Sequence, residues 1–463
     1  MLFQSWPFAL FFLVVYPVYL ALKRTRFGIF WLLAASYFFY GWINPLFLIL
    51  LLYVTAIDFF SASRMAQSTR RKLWLTVSVV NNVGLLGFFK YAGFITDHLN
   101  ALLVSLNIPY EIAPPGFLVP VGMSFYIFQS MGYTIDFYRG NIPRERSFIR
   151  YAAFVSFFPR LLMGPIERAK NFLPQLQTKP AVTWSDIADG LSLFVVGLFK
   201  KVALADYLRL YVDKIYNSPE QFQSPALILA TFLFAWQIYF DFSGYTDMAR
   251  GIARAMGFRL MLNFNNPYMA TGLGDFWHRW HISLSTWFRD YVYIPLGGNR
   301  RGTFNTYRNI FLVMIISGLW HAGLFYGATL TFVVWGVVHA FGLFLTREME
   351  RTEFYKERIP KPVKQLFVFC FVGFAWIFFR ADSINDAWLI ITRIFTSGFS
   401  NPNCPVLALV LIFAVWLYQF IYESRIKWLL ELRTVRITVV VLMIFYLAVF
   451  APSSEQPFIY MQF

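Results

Sequence analysis

Apolar stretches of about 20 residues, the length that a helix needs to cross the hydrocarbon core of a bilayer, recur along this chain from its first residues to its last. The composition agrees with membrane insertion, because 58% of the residues are hydrophobic and only 14% are charged. Soluble domains carry roughly 25% charged residues. The sequence therefore predicts an all-α polytopic membrane protein with about 10–12 transmembrane or partial helices.

A single integral membrane domain is predicted over residues 1–463, since apolar stretches occur throughout. We divide it into N-terminal spans (1–150), a core with re-entrant segments (151–345) and C-terminal spans (346–463). The first apolar stretch has no basic region before it and no small-residue cleavage site after it, which predicts a retained first span. The cysteines lie 34 residues apart without a CxxC pair, which argues against a disulfide framework: Cys370 and Cys404.

Residues 151–182 interrupt the pattern of spans with a short apolar run that contains three prolines and a glycine. Interrupted helices are tolerated at membrane depth only where protein or a water-filled cavity surrounds the freed backbone groups. We therefore expect this segment to line a cavity. The interrupting residues are Pro159, Gly164, Pro165 and Pro174.

Lysine and arginine alternate between successive loops. Residues 22–27, 63–72 and 138–150 are basic, whereas 43–47 and 96–115 contain no lysine or arginine. Positive residues stay on the cytoplasmic side, so the N-terminus is predicted outside, and the C-terminal third predicts the same for the C-terminus. Topology thus explains most of the +16 charge without nucleic acid. A smaller share could serve an anionic cytosolic ligand.

Several ionisable residues fall in or beside apolar runs, where a charge costs several kcal/mol unless it is paired or hydrated. Those near predicted span ends are expected to pair or to cap helices. Asp241 is a better candidate for function because further polar residues crowd the same QIYFDFSGYTD stretch, namely Gln237, Tyr239, Ser243, Tyr245 and Asp247. The ionisable residues are Asp58, Lys90, Asp136, Arg160, Asp241 and Asp247.

The five histidines divide by context. His278 and His281 are spaced i, i+3 and would share one face of a continuous helix, but a zinc site needs three or four ligands and no HExxH pattern supplies them, so no metal site is expected. His321 follows Trp320 in a nearly uncharged run. A neutral imidazole in such a run can be an interhelical hydrogen bonder or a general base, and the pattern alone leaves both open.

Several segments then carry a resemblance. FWHRWHISLSTWFRDYVYIPLGGNRRG (276–302) precedes SGLWH (317–321). Upstream, in order, come VPVGMSFYIFQSMGYTIDFYRG (119–140), FVSFFPRLLMGPIER (154–168) and QIYFDFSGYTDMARGIARAMGFRLMLNFNNPY (237–268). Together they resemble the membrane-bound O-acyltransferase family, in its bacterial branch of alginate O-acetylation proteins. One departure is residues 322–332, AGLFYGATLTF, which run longer than the family pattern.

The resemblance implies a ring of helices around a central tunnel, with the acyl donor entering from the cytoplasm and the acceptor from outside. It assigns the catalytic histidine to His321 and the second family histidine to His281, and it gives His339 no catalytic role. Acyl transfer needs a base, donors for the developing oxyanion and a dry path. We expect these substrate- and donor-binding residues: Trp277, Arg279, Ser283, Arg289, Trp320 and Asp241.

Arg289, with Arg300 and Arg301, could meet the phosphates of a CoA-like donor. Positive-inside placement or lipid headgroups would explain the same arginines. The sequence thus predicts an O-acetyltransferase of the bacterial inner membrane. Acetyl-CoA is the expected donor, and no permanently bound cofactor is implied. An exported polysaccharide is the expected acceptor, reached through a periplasmic partner. Alternatives are D-alanyl or longer-chain transfer, a transporter, and a scaffold subunit without catalysis.

Overall fold

A computed structural model describes residues 1–114, 116, 119–178, 181–322, 329–450 and 456–459. Helices dominate this part of the chain, and no β-strand occurs within it. The prediction of an all-α protein is therefore confirmed.

The described residues form nineteen α-helices joined by turns and short π- and 3₁₀-helical segments. In chain order they are α1 (Trp6–Leu22), α2 (Phe27–Gly41), α3 (Pro45–Gln67), α4 (Arg71–Ser105), α5 (Met123–Tyr138), α6 (Phe148–Ser156), α7 (Ala169–Thr178), α8 (Trp184–Phe199), α9 (Asp206–Tyr216), α10 (Ser224–Ala255), α11 (Leu273–Arg279), α12 (Ile282–Phe288), α13 (Gly302–His321), α14 (Thr329–Met349), α15 (Lys361–Arg380), α16 (Ile384–Thr396), α17 (Val406–Tyr422), α18 (Trp428–Glu431) and α19 (Arg433–Phe450).

Six of these helices are long and apolar enough to cross a membrane: α3, α4, α10, α14, α15 and α19. Three shorter apolar helices, α1, α2 and α17, accompany them. Many of their apolar side chains are exposed on the surface of the protein, which suits contact with lipid rather than water. These helices confirm a multi-pass membrane protein. The predicted placement of both termini outside stays a prediction.

Polar side chains set where several of these helices begin. The side chains of Ser5, Asn44 and Ser147 precede α1, α3 and α6, and each accepts a hydrogen bond from a backbone N–H of the first turn. Such caps satisfy donors that a helix leaves without partners at its N-terminus. Prolines at the first positions of α1 and α3 agree with these starts, since proline has no N–H to leave unsatisfied.

Two compact units divide the chain. The first contains Met1–Leu191 and Ala249–Met261. Within it, α6 ends at Ser156 and α7 begins at Ala169, and every residue between them is buried. The interrupted segment predicted from the sequence is thus present as irregular backbone enclosed by protein. Its role in lining a cavity stays a prediction.

Two buried charged groups of the first unit, Asp58 and Arg160, have neutral hydrogen-bond partners. The Asp58 carboxylate accepts hydrogen bonds from Ser78, Asn82 and Ser130, the first at 2.6 Å. The buried Arg160 guanidinium donates to the Gln129 side chain and to a backbone carbonyl. For Asp58, the expected pairing with another charge is replaced by hydroxyl and amide donors.

The second unit contains Ser192–Met248 and the described residues of Leu262–Tyr460. In it, α13 and α14 approach closely through two glycines. An added Cβ at Gly318 would lie 2.4 Å from the carbonyl oxygen of Phe332, and one at Gly336 would lie 2.5 Å from that of Met314. Small residues allow helices to approach closely inside membranes. This contact fixes the end of α13, where His321 lies. The single-domain organisation, with its boundaries at 150 and 345, stays a prediction.

Candidate functional site

His321 is the last residue of α13 and is buried, with 6% of its surface exposed. Its Nδ1 lies 2.7 Å from the carbonyl oxygen of Ser317, one turn earlier. A carbonyl can only accept a hydrogen bond, so Nδ1 carries the proton. In a neutral imidazole the lone pair then belongs to Nε2, which is the arrangement that a general base requires.

His98 and His278 make the same bond to the carbonyl four residues earlier, at 2.8 and 2.7 Å. Both of these histidines are exposed, whereas His321 is buried. The bond alone therefore does not distinguish His321. Its burial beside aromatic side chains does.

His281 occupies the break between α11 and α12. Its backbone is left-handed, with φ of 41°, a conformation that is uncommon for residues other than glycine. Because α11 ends at Arg279, His278 and His281 do not share a helical face as the i, i+3 spacing suggested. His278 is exposed, whereas only 1% of His281 is exposed.

Asn263 holds the His281 side chain in place. Its Oδ1 accepts hydrogen bonds from the Ser283 backbone N–H at 3.2 Å and from the Ser283 hydroxyl at 2.9 Å. The same oxygen lies 3.2 Å from Nδ1 of His281. Since the backbone N–H can only donate, the amide oxygen faces this cluster, and His281 donates through Nδ1. Nε2 therefore holds the lone pair in His281 as well.

Trp320 joins the two histidines. Its ring centroid lies 6.1 Å from that of His281 and 4.7 Å from that of His321. Trp335 packs on the His321 ring at 5.3 Å, and Trp277 packs on Trp335 at 5.8 Å. Four residues predicted as site residues thus belong to one aromatic cluster with His321: His281, Ser283, Trp277 and Trp320.

The other predicted site residues are engaged in ion pairs. Arg279 pairs with Asp275 at 2.8 Å and with Glu423 at 2.5 Å. Arg289 is exposed and pairs with its neighbour Asp290 at 2.8 Å. Arg300 and Arg301 are exposed. None of these contacts brings an arginine against either buried histidine.

Asp241 belongs to a buried charged cluster that the sequence did not reveal. Lys201 lies between Asp241 and Asp206, with its Nζ 2.8 Å from a carboxylate oxygen of each. The second oxygen of Asp241 accepts the Ile459 backbone N–H at 2.8 Å, and Nζ also donates to the Pro457 carbonyl at 3.2 Å. Phe458, between these two residues, is fully buried. We call residues 456–459 the docked tail.

Sequence reasoning missed three residues of this region. Asn263 lies in the NFNNPY segment, where nothing marks one asparagine above the next. Trp335 resembles any other aromatic residue of an apolar helix. Lys201 did offer a signal, because Lys200 and Lys201 interrupt the apolar run GLFKKVALA as two adjacent charges. Adjacent lysines at membrane depth require partners, which here are Asp247, Asp206 and Asp241.

No group of three potential metal ligands occurs among the residues that the structure describes. The part of the AGLFYGATLTF segment at 323–328, whose length departs from the family pattern, lies outside the described residues.

Comparison with known proteins adds to this geometry. The model of the membrane-bound O-acyltransferase family matches residues 140–385, which include α6 to α15 and both buried histidines discussed above. A probable alginate O-acetylase of Azotobacter vinelandii is 40% identical over 405 residues, covering 86% of this chain and 79% of that protein.

A peptidoglycan O-acetyltransferase of Helicobacter pylori is 35% identical over 399 residues, covering 80% of this chain and 74% of that protein. A teichoic acid D-alanyltransferase of Bacillus subtilis is more distant, at 29% identity over 54% of this chain and 66% of that protein. The family match covers more than half of the chain, and the first two relatives are at least 35% identical over most of it. The chain therefore belongs to the membrane-bound O-acyltransferase family, and it is a multi-pass membrane O-acyltransferase.

Proposed function

We propose that this protein transfers an acetyl group from a cytoplasmic thioester donor, acetyl-CoA, towards the hydroxyl groups of an exported polysaccharide. His321 acts as the general base. The observation that carries this proposal is the hydrogen bond from His321 Nδ1 to the Ser317 carbonyl at 2.7 Å, in a buried and aromatic setting. It assigns the lone pair of a neutral imidazole to Nε2.

The reaction requires no covalent intermediate on the protein. Nε2 of His321 accepts the hydroxyl proton as the hydroxyl oxygen attacks the thioester carbonyl carbon. Enclosure by Trp320 and Trp335 keeps water from competing with the acceptor hydroxyl. His281, held by Asn263, supplies a second oriented imidazole, with its ring 6.1 Å from that of Trp320.

The acceptor and its route are inferred from the relatives. Two of them carry names that specify acetylation of alginate and of peptidoglycan, which are both polymers outside the cytoplasmic membrane. We place the protein in the bacterial inner membrane with both termini outside. A periplasmic protein completes the transfer to the polysaccharide, because polymer chains are too large to enter an enclosed histidine site.

The six residues proposed to bind the substrate or the donor differ in how directly they contact the reactants. They are Trp277, Arg279, Ser283, Arg289, Trp320 and Asp241. Trp277, Ser283 and Trp320 belong to the histidine cluster and position the reactants. The side chain of Arg289 is 57% exposed, so its guanidinium can release Asp290 and bind a phosphate of the donor instead. Arg279 and Asp241 act through their ion pairs, by fixing the elements that carry the cluster.

The test is acetyl transfer from radiolabelled acetyl-CoA by purified protein, with membranes that contain polysaccharide and the periplasmic partner as acceptor. The variants are His321→Ala and His278→Ala. The second removes an exposed histidine that makes the same backbone bond. Removing a general base costs about 10²–10⁴-fold in rate. We expect that loss of rate for His321→Ala and not for His278→Ala. A cooperative thermal unfolding transition of His321→Ala, close to that of the wild type, would show that the variant is folded.

Equal transfer by wild type and His321→Ala would remove His321 from the chemistry. If the wild type transfers nothing from acetyl-CoA, the proposed donor is wrong. The teichoic acid D-alanyltransferase relative then directs the next arm of the experiment, in which a carrier protein loaded with D-alanine replaces acetyl-CoA.

A further inference from the structure

Three side chains of the cluster that packs on His321 have buried ring nitrogens without a hydrogen-bond partner in the described part of the chain. Nε1 of Trp277, Nε1 of Trp335 and both ring nitrogens of His339 have none in the described part of the chain. Their rings form a triangle, with centroids 5.8 Å apart for the two tryptophans and 5.1 and 4.9 Å from each tryptophan to His339. Trp335 lies 5.3 Å from the His321 ring.

Such a cluster is unusual. An indole N–H is a donor only, and the large majority of buried donors in proteins have acceptors. The same aromatic region satisfies another tryptophan, since Trp376 Nε1 donates to the Tyr268 hydroxyl at 3.2 Å. Trp376 lies 6.0 Å from Trp335, stacked on it. This region can thus supply an acceptor to an indole N–H, yet in the described part of the chain those of Trp335 and Trp277 have none, as is also true of Trp236, which packs on Tyr268.

We propose that Trp335 is a catalytic residue whose indole N–H donates to the carbonyl oxygen of the acyl thioester, with the N–H of Trp277 as the second donor. This inference rests on the proposed function. A carbonyl oxygen provides the acceptor that both N–H groups lack, and its reacting carbon would lie beside the imidazole of His321. His339, fully buried and without partners, is the third polar group of the same triangle.

The acceptor oxygen forms a bond to the carbonyl carbon while its proton moves to His321, and the carbonyl oxygen becomes an oxyanion that accepts from Trp335. The C–O double bond then re-forms, the C–S bond breaks, and the imidazolium returns its proton to the leaving thiolate. The products are an ester and a free thiol, and no oxidant or reductant is needed. Donors directed at a developing oxyanion stabilise the transition state more than the ground state.

The first experiment compares Trp335→Phe with Trp376→Phe in purified full-length protein. Both changes keep a ring and remove one N–H. Loss of one oxyanion donor lowers kcat by about 10²–10³-fold. For Trp335→Phe we expect kcat to fall by about 100-fold while KM for acetyl-CoA changes little. Trp376→Phe loses an internal hydrogen bond, so its thermal stability falls while its kcat stays within a few-fold of wild type.

A second measurement does not depend on turnover. Acetyl-dethia(carba)-CoA, in which a methylene replaces the thioester sulfur, is a ketone with its carbonyl at the position of the donor's, and the corresponding ethyl-dethia(carba)-CoA lacks that carbonyl. Wild-type protein should bind the ketone more tightly, by about two- to tenfold for one hydrogen bond. Trp335→Phe should lose that preference, whereas Trp376→Phe should keep it.

The proposal is overturned if Trp335→Phe lowers kcat no more than Trp376→Phe does, or if it keeps the preference for the ketone. Either result would mean that Trp335 only packs against His321. An active wild type with an unaffected Trp335→Phe would leave the acetyltransferase assignment intact. Absence of transfer by the wild type would overturn both proposals.

Discussion

Replacing Gly318 with alanine should disturb both the stability and the chemistry of this protein. The new Cβ would lie 2.4 Å from the Phe332 carbonyl oxygen, whereas ordinary contact begins near 3.4 Å, so α13 and α14 must separate by about 1 Å. Overpacking of this kind costs about 1–3 kcal/mol. His321 follows three residues later on the same helix. A displacement of about 1 Å at a catalytic group can lower the rate by about 100-fold.

The matched control is Gly373→Ala in α15, where an added Cβ meets nothing within 4 Å. Alanine is favoured over glycine in a helix by about 0.5–1 kcal/mol, so this variant should be as stable as wild type or slightly more stable. Thermal unfolding in detergent measures the first effect. For a loss of about 1–3 kcal/mol we expect Tm to fall by roughly 2–12 °C, scaling from domains of 150–250 residues. Acetyl transfer measured below the lower Tm gives the second effect.

If Gly318→Ala matches Gly373→Ala in both Tm and transfer rate, then α13 and α14 do not depend on this close approach. A fall in Tm with an unchanged rate would separate the two effects. It would show that His321 tolerates movement of its helix, which contradicts the positioning of the base by α13.

Three further results are expected. Lys201→Met leaves two buried carboxylates unpaired and should cost about 3–5 kcal/mol in denaturant unfolding, more than Lys200→Met at a partly exposed pair. A smaller loss than that of Lys200→Met would contradict this. Asn263→Leu removes the acceptor of three donors and should lower acetyl transfer at least about tenfold, and an unchanged rate would show that His281 needs no support. Burial raises the pKa of Glu145, but Arg150 and two other donors outweigh it and hold that pKa below its usual range. The stability it contributes is therefore present above pH ~4.5 and is lost as the pH falls, and Glu145→Gln should flatten this dependence in unfolding measured from pH 7 to pH 4. Identical pH profiles for the variant and wild type would refute it.

Local patterns in the sequence predicted what depends on neighbouring residues. Apolar length predicted the membrane helices, and the prolines of residues 151–182 predicted the irregular backbone there. The resemblance carried by the LWH motif singled out His321, which lies buried at a helix end. In each case the signal lies within one helix or one turn.

Contacts between distant segments left no such signal. Asn263 contacts His281 where the helix is interrupted between α11 and α12, at His281 itself, whose φ is 41°. Histidine has no general preference for this left-handed conformation, so the sequence does not predict the interruption. Lys201 and Asp241 are 40 residues apart, and Arg279 and Glu423 are 144 residues apart. Because the tertiary fold determines which charged residues lie next to each other, the sequence around each residue does not identify its partner. The same reason hid the Trp335 cluster.

The docked tail is held by its backbone at two of its residues, since the carbonyl of Pro457 and the N–H of Ile459 make the bonds to Lys201 and Asp241. Backbone groups are the same in almost every amino acid, so the exposed position 457 can change during evolution while the docking persists. The specific requirements are the side chain of Phe458, buried against Tyr245, and that of Ile459, which is also buried. Homologous proteins could therefore keep the docked tail while much of their C-terminal sequence differs.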